Sequence, residues 1–217
     1  MKQFKGLVLS LALLTSGVAF GQRSSNVEMP VYKDYWIQSA MSYGSSSGYW
    51  DIPGKSSIIQ KGANIQVWNI DHGIDRKYTL RKSSENGFYE IYVGGDTGKR
   101  VDVSSGKSAN GTNVGVWDRN SGANQRFAFV HLGNGRFKIY DRNGNIICLE
   151  GRKNNNGTNV HMWNDHNGSF VEWYLIDPST NSAYIPNAKP SPTAKPAPKP
   201  TPKPTPSGGK KVMPTKR

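Results

Sequence analysis

The chain has 217 residues, with 28 Lys and Arg against 15 Asp and Glu, a formal net charge of +13 and a single Cys. Divided by region, the charge excludes a nucleic-acid partner. Two Lys fall in residues 1–21 and eight basic residues with no acid in 179–217, so Gln22 to Asp177 hold 18 basic against 15 acidic residues and no basic stripe of the kind a duplex requires.

Residues 1–21 read as a secretory signal. Lys2 and Lys5 precede an apolar run from Gly6 to Phe20, and Ala19-Phe20-Gly21 stands before Gln22 as a cleavage site. The run is short and wrongly flanked for a membrane span, and no Cys lies near the cleavage point to carry a lipid. The mature chain is therefore expected to be secreted, periplasmic or held at the cell surface, with the short Lys-bearing signal suiting a bacterium. Residues 22–31 are a polar lead-in.

From 32 to 178 one unit is written three times, with copies at about 32–86, 87–134 and 135–178. Its clearest mark is Asn64-Ile-Gln-Val-Trp68, Asn113-Val-Gly-Val-Trp117 and Asn159-Val-His-Met-Trp163. Upstream lie Asp51, Asp102 and, in the third copy, Glu150. Downstream lie Asp75-Arg-Lys-Tyr78, Asn124-Gln-Arg-Phe127 and Phe170-Val-Glu-Trp173. Short aromatic and β-branched runs separated by Gly, Asn and Ser turns, with no helical spacing of apolar residues, make the region all-β. In the second copy the strands are expected at Phe88 to Val93, Arg100 to Val103, Asn113 to Trp117 and Gln125 to His131, with Arg136 to Tyr140 opening the third. That rate gives about twelve strands. Three copies are too few to close a propeller, whereas a threefold barrel, the β-trefoil, lets each copy bury an apolar face against the other two.

Strand alternation assigns the faces. Ile65 and Val67, Val114 and Val116, and Val160 and Met162 point one way, and Gln66 and Trp68, Gly115 and Trp117, and His161 and Trp163 the other. The aliphatic face is the core, so the tryptophans are expected at the surface. An aromatic there beside a carboxylate and amides suits a pyranose, with the ring covering the C–H face and the polar groups bonding the hydroxyls. Plain barrel packing is the alternative for these rings. Tyr78, Phe127 and Trp173 head apolar runs and are expected in the core, and Cys148, within Ile146-Ile-Cys-Leu149, is expected to be a small buried hydrophobe.

Asp102, Trp117 and Asn124-Gln-Arg-Phe127 resemble the ricin B-chain-type lectin repeat, whose hallmark is Gln-x-Trp near the end of each unit. The resemblance spans about residues 32 to 177 and implies a β-trefoil lectin with shallow sites for galactose-type or related sugars. It implies that in the second lobe Asp102 accepts hydroxyl hydrogen bonds, Trp117 stacks, Asn124 bonds the sugar and Gln125 supports the site from the backbone. The first lobe offers Asp51, Trp68 and Asp75, with its Asn replaced by Asp75. The third offers Glu150 and Trp163 without the Asn or the Gln, and the half-cystine pair frequent in such repeats is absent.

No catalytic constellation accompanies the repeat. The acids are expected one per lobe, on separate surfaces, whereas glycoside hydrolysis needs two carboxylates about 5 to 10 Å apart. His72, His131, His161 and His166 lack zinc spacing and read as solvated, so neither a metal nor a cofactor is expected. The expected function is a non-catalytic carbohydrate-binding module. The alternative is a protein-interaction or cell-binding subunit of a secreted toxin or enzyme complex. Residues 179–217, rich in Lys-Pro and Thr-Pro, are expected to be an unfolded, polyproline-like tail able to lie on anionic cell-envelope polymers.

Overall fold

A computed structural model describes residues 25–54, 58–95 and 97–186. The expected signal at 1–21, and the tail from residue 187, lie outside the described residues. The strands are β1 (Asp34–Ser39), β2 (Tyr49–Asp51), β3 (Gln66–Trp68), β4 (Tyr78–Lys82), β5 (Tyr89–Val93), β6 (Lys99–Val103), β7 (Val114–Asp118), β8 (Phe127–Gly133), β9 (Arg136–Asp141), β10 (Ile146–Leu149), β11 (Thr158–Trp163), β12 (Trp173–Asp177) and β13 (Ser182–Ala183). No helix among the described residues is long and apolar enough to cross a membrane.

Two layers account for the topology. Strands β1, β4, β5, β8, β9 and β12 pair antiparallel in a closed ring, through registers such as Tyr35↔Tyr78, Thr79↔Tyr92, Tyr89↔Phe127, Phe129↔Ile139, Trp173↔Phe137 and Trp36↔Ile176. Three hairpins, β2–β3, β6–β7 and β10–β11, cap one end. This is the β-trefoil, with lobes β1–β4, β5–β8 and β9–β12. Ring closure leaves no free barrel edge for another chain to extend.

The alternation of apolar residues dictates what the cap buries. Ile65, Val67, Val114, Val116, Val160 and Met162 are all sealed, and so are Tyr78, Phe127 and Trp173, each separated by one residue from a preceding 3-10 turn. Trp173 crosses Trp50 edge-on at 5.3 Å and donates its indole N–H to the Ile147 carbonyl at 3.0 Å, so its one polar atom is satisfied within the core.

The Asn that opens each repeat motif has a role its spacing alone did not disclose. Asn113 Nδ2 donates to Asn64 Oδ1 at 2.9 Å, and Asn64 Nδ2 to Asn159 Oδ1 at 3.0 Å, joining the three lobes at their common axis. Next to it, Gly62, Gly111 and Gly157 donate their backbone N–H to Val116, Met162 and Val67, the residue before each repeat Trp. Each lobe thus abuts the Trp of another.

Three boundaries differ from the expectation. The lead-in packs on the fold, with Met29 buried and its N–H donated to Tyr89 Oη at 3.0 Å. The fold also runs past Asp177: β13 pairs with β12, and Tyr184 stacks parallel on Phe137 at 6.2 Å. Both segments bring apolar side chains to the barrel, which is why they are ordered into it. Finally, Gln125 lies in the turn Ala123–Gln125 rather than in a strand, because its buried side chain must fold back toward β6.

Candidate functional site

Register places the second-lobe residues together. In the β6–β7 hairpin Asp102 lies opposite Gly115 and Arg100 opposite Trp117, which sets the carboxylate and the indole two residues apart on one face. The turn Ala123–Gln125 then brings in two amides. Asn124 Nδ2 and Gln125 Nε2 both donate to Asp102 Oδ2, at 2.7 and 2.8 Å, and Gln125 Nε2 also donates to the Asp118 carbonyl at 2.9 Å. Gln125 Oε1 accepts the Asn120 N–H at 3.0 Å. The buried glutamine thereby clamps the acid to the turn.

Asp102, Trp117, Asn120 and Asn124, with Gly62 and Gly115, line one open groove of about 620 Å³. Trp117 is 44% exposed, and Lys61 stands over its ring with its Nζ 5.8 Å from the centroid. Asp102 Oδ1 has no partner among the described residues, so one carboxylate oxygen faces the groove as an acceptor. Burial pushes the Asp102 carboxyl above its ordinary range, against the pull of Gln125 and Asn124.

In the first lobe, Asp51 faces Gln66 across the hairpin and both of its oxygens are taken. Oδ2 accepts from Gln66 Nε2 at 2.7 Å, and Oδ1 meets Arg76 Nη2 at 3.0 Å. Arg76 replaces Gln125, and Asp71 replaces Asn120, so an ion pair, Arg76 Nε to Asp71 Oδ1 at 2.5 Å, stands where the second lobe has an amide contact. Asp75, in the place of Asn124, is buried beside Asp51. Burial and that neighbouring acid raise its carboxyl above the usual range. The acids of this lobe are therefore neighbours rather than single. Trp68 is 40% exposed, while Asp75 lines a hollow with Ile52, Ile59 and Lys61.

The third lobe corrects the sequence alignment. Cys148, not Glu150, faces His161 across the β10–β11 hairpin, at the position that Asp102 and Asp51 hold. Glu150 opens the turn Glu150–Arg152, which matches Ser104–Gly106, and is exposed. The spacing carried the signal, since Cys148 stands as far before Trp163 as Asp102 stands before Trp117. Val171 and Phe170 replace Gln125 and Asn124, so Cys148 and Val171 share a buried apolar cluster against which Phe170 packs. Burial lifts the Cys148 thiol to about 12. His161, expected to be solvated, is instead buried and tilted against Trp163 at 5.4 Å, and burial lowers its pKa. Trp163 remains 36% exposed over a small apolar hollow of about 190 Å³.

Comparison with known proteins agrees with this architecture. Residues 74–163 match the model of the ricin-type beta-trefoil lectin domain-like family. Among solved structures, the designed threefold-symmetric protein ThreeFoil is 25% identical with a TM-score of 0.59, covering 66% of this chain and 98% of its own. The ricin B-like lectin of Macrolepiota procera, solved in complex with lactose, is 16% identical with a TM-score of 0.55, over 70% of this chain and 99% of its own. An exo-beta-1,3-galactanase from Clostridium thermocellum is 22% identical with a TM-score of 0.59, over 68% of this chain, which spans only 31% of the galactanase. No curated protein matches the sequence. With its closed six-stranded ring, three hairpins and repeated surface Trp, the repeat domain is a β-trefoil that is similar, over residues 74–163, to the ricin-type beta-trefoil lectin domain-like family.

Proposed function

We propose that this protein is an exported, non-catalytic carbohydrate-binding module whose second lobe holds a sugar. One observation carries the reading: an exposed Trp117, an open Asp102 oxygen and Asn124 line a single groove. The indole supplies a flat apolar face for the C–H side of a pyranose, and Asp102 Oδ1 accepts from its hydroxyls. The lactose bound to the M. procera lectin and the exo-beta-1,3-galactanase activity of the C. thermocellum enzyme favour a galactose-type ligand.

A shallow open site of this kind should bind a single sugar weakly, on the order of millimolar. The test is a titration of mono- and polysaccharides against the full chain and Trp117→Ala. Saturable binding that the substitution removes supports the reading, and binding indifferent to it, or none, sinks it. Export rests on residues 1–21 and is checked by finding Gln22 at the N-terminus of protein collected outside the cytoplasm. The companion reading, a binding arm for a catalytic partner, is supported by the galactanase, in which a similar fold makes up a minor part of the chain. Recovery of a stoichiometric enzymatic subunit with the secreted protein would establish it. The Lys/Pro-rich segment is proposed to rest on anionic envelope polymers. Deleting residues 187–217 should then remove salt-sensitive envelope binding and spare sugar binding.

A further inference from the structure

We propose that the module has one sugar site rather than three, and that the residue facing the hairpin acid sets this number: Gly115 leaves the second lobe open, and Gln66 closes the first from within. The inference deepens the sugar-binding reading above and rests on it.

The position compared is fixed by strand register. Gly115 faces Asp102, Gln66 faces Asp51 and His161 faces Cys148. In the first lobe the Gln66 amide donates to the carboxylate at 2.7 Å, as a sugar hydroxyl would, while Arg76 holds the other oxygen. Both acceptors are engaged before any ligand arrives, and a sugar would have to displace a charge-assisted hydrogen bond and a buried ion pair. The carboxylate is present but occupied.

In the third lobe no carboxylate stands at this position. Cys148 has no charge at neutral pH, Phe170 and Val171 stand where the amides were, and a buried His161 faces Cys148 across the hairpin. An exposed Trp is therefore not by itself a site, since Trp68, Trp117 and Trp163 are exposed to similar extents, 40, 44 and 36%.

Gly115 is what distinguishes the open lobe. A Cβ there would lie 2.7 Å from the Ala63 carbonyl oxygen, closer than real Cβ atoms come to backbone. The approach of the first lobe's loop thus requires a residue without a side chain, and that same absence uncovers Asp102. Valency and packing are decided by one atom.

The test follows the six Trp indole N–H signals of the full chain by NMR during titration with lactose and with a soluble β-1,3-galactan. Single Trp→Phe variants assign the signals. The expected result is saturable movement of the Trp117 signal alone, with Trp68→Ala and Trp163→Ala leaving the affinity within twofold. Gly115→Gln should weaken binding at least tenfold. Because that change presses on Ala63, the reverse variant Gln66→Gly/Asp75→Asn/Arg76→Gln, which installs the second-lobe residue at three first-lobe positions, should make the Trp68 signal respond. Movement of Trp68 or Trp163 in the unmodified protein, or a silent Trp68 in the folded triple variant, overturns the single-site inference and leaves the lectin reading standing. No movement at any indole with either sugar overturns the galactose-type reading itself.

Discussion

In the barrel, Tyr78, Phe127 and Trp173 hold equivalent places in the three lobes and all three are sealed. On the hairpin faces, Asp51, Asp102 and Cys148 also hold equivalent places, and each does something different: one is locked in an ion pair, one is open, one has become part of an apolar cluster. The contrast follows from what each layer must satisfy. Inward residues meet the same neighbours from every lobe, so a ring of aromatic side chains is imposed three times. Outward residues answer only to their own turn, where any mutually satisfied pair suffices. Asp102 with Gln125, Asp51 with Arg76 and Cys148 with Val171 are three such pairs, polar, ionic and apolar. Changing one member alone leaves its partner stranded, so the pairs are expected to differ in what a single substitution costs.

The largest effects should come from the barrel and from the ionic pair. Trp173→Ala empties a fully buried site and is expected to cost about 3–5 kcal/mol, read as a shifted denaturant midpoint. Arg76→Met should approach that loss, because it strands the buried Asp51 without its counter-ion. Gln125→Met in the open lobe removes only amide contacts and should cost about 1–3 kcal/mol. If the two substitutions cost the same, the ionic and polar versions of the clamp are not distinct.

A second set separates stability from binding. Asp102→Asn keeps the shape but exchanges a charged acceptor for a neutral one, so affinity for a sugar ligand should fall about 10- to 100-fold, as expected when a hydrogen bond to a charged group is lost. Stability at neutral pH should hold or rise. The reason is the raised Asp102 carboxyl: the folded state binds its proton more tightly than the unfolded chain does. Its contribution to stability is complete below the ordinary carboxyl range and is lost as pH rises through the folded value. Binding runs the other way, since only the ionised carboxylate accepts fully. Affinity should therefore weaken on acidification sooner than an unperturbed Asp would allow, and a pH-independent affinity down to the ordinary Asp range would remove Asp102 from the site.

Much of this could be read in advance. The period of the Trp motif, the alternation of Ile65 and Val67 against Gln66 and Trp68, and the apolar runs after Tyr78, Phe127 and Trp173 give the trefoil, because packing around a threefold axis leaves those residues little choice. The clustering of Asp102, Trp117, Asn124 and Gln125 was equally legible, since these residues are the repeat's own. The rest resisted for a physical reason. Arg76 does not look like Gln125, yet from the same turn it reaches the same acid, so a motif search sees a loss where the structure has a substitution. Glu150 drew attention because it is acidic, whereas register is set by backbone pairing, which puts Cys148 at the position. The capping by Gln66 depends on a side-chain direction that residue type does not encode.

The smallest effect at neutral pH belongs to the apolar pair, and it becomes visible only on raising the pH. Cys148→Ala should cost about 1 kcal/mol at pH 7, the loss of a small buried group. In the folded chain burial holds the Cys148 thiol protonated to about 12, from an ordinary value of 9.0. The folded state therefore keeps a proton that the unfolded chain gives up, and stability is full below about 9 and declines between about 9 and about 12. Tyr35, raised from 10.0 to about 12 by burial and the nearby Asp177, adds its own decline at the upper end of the same window. Removing the thiol should flatten the lower part of that decline and leave the tyrosine part unchanged, as measured by denaturant midpoints from pH 8 to 11. Alkaline loss in Cys148→Ala that begins where it begins in the parent would mean that the third lobe opens to solvent. The hairpin faces would then differ in how tightly they close as well as in chemistry.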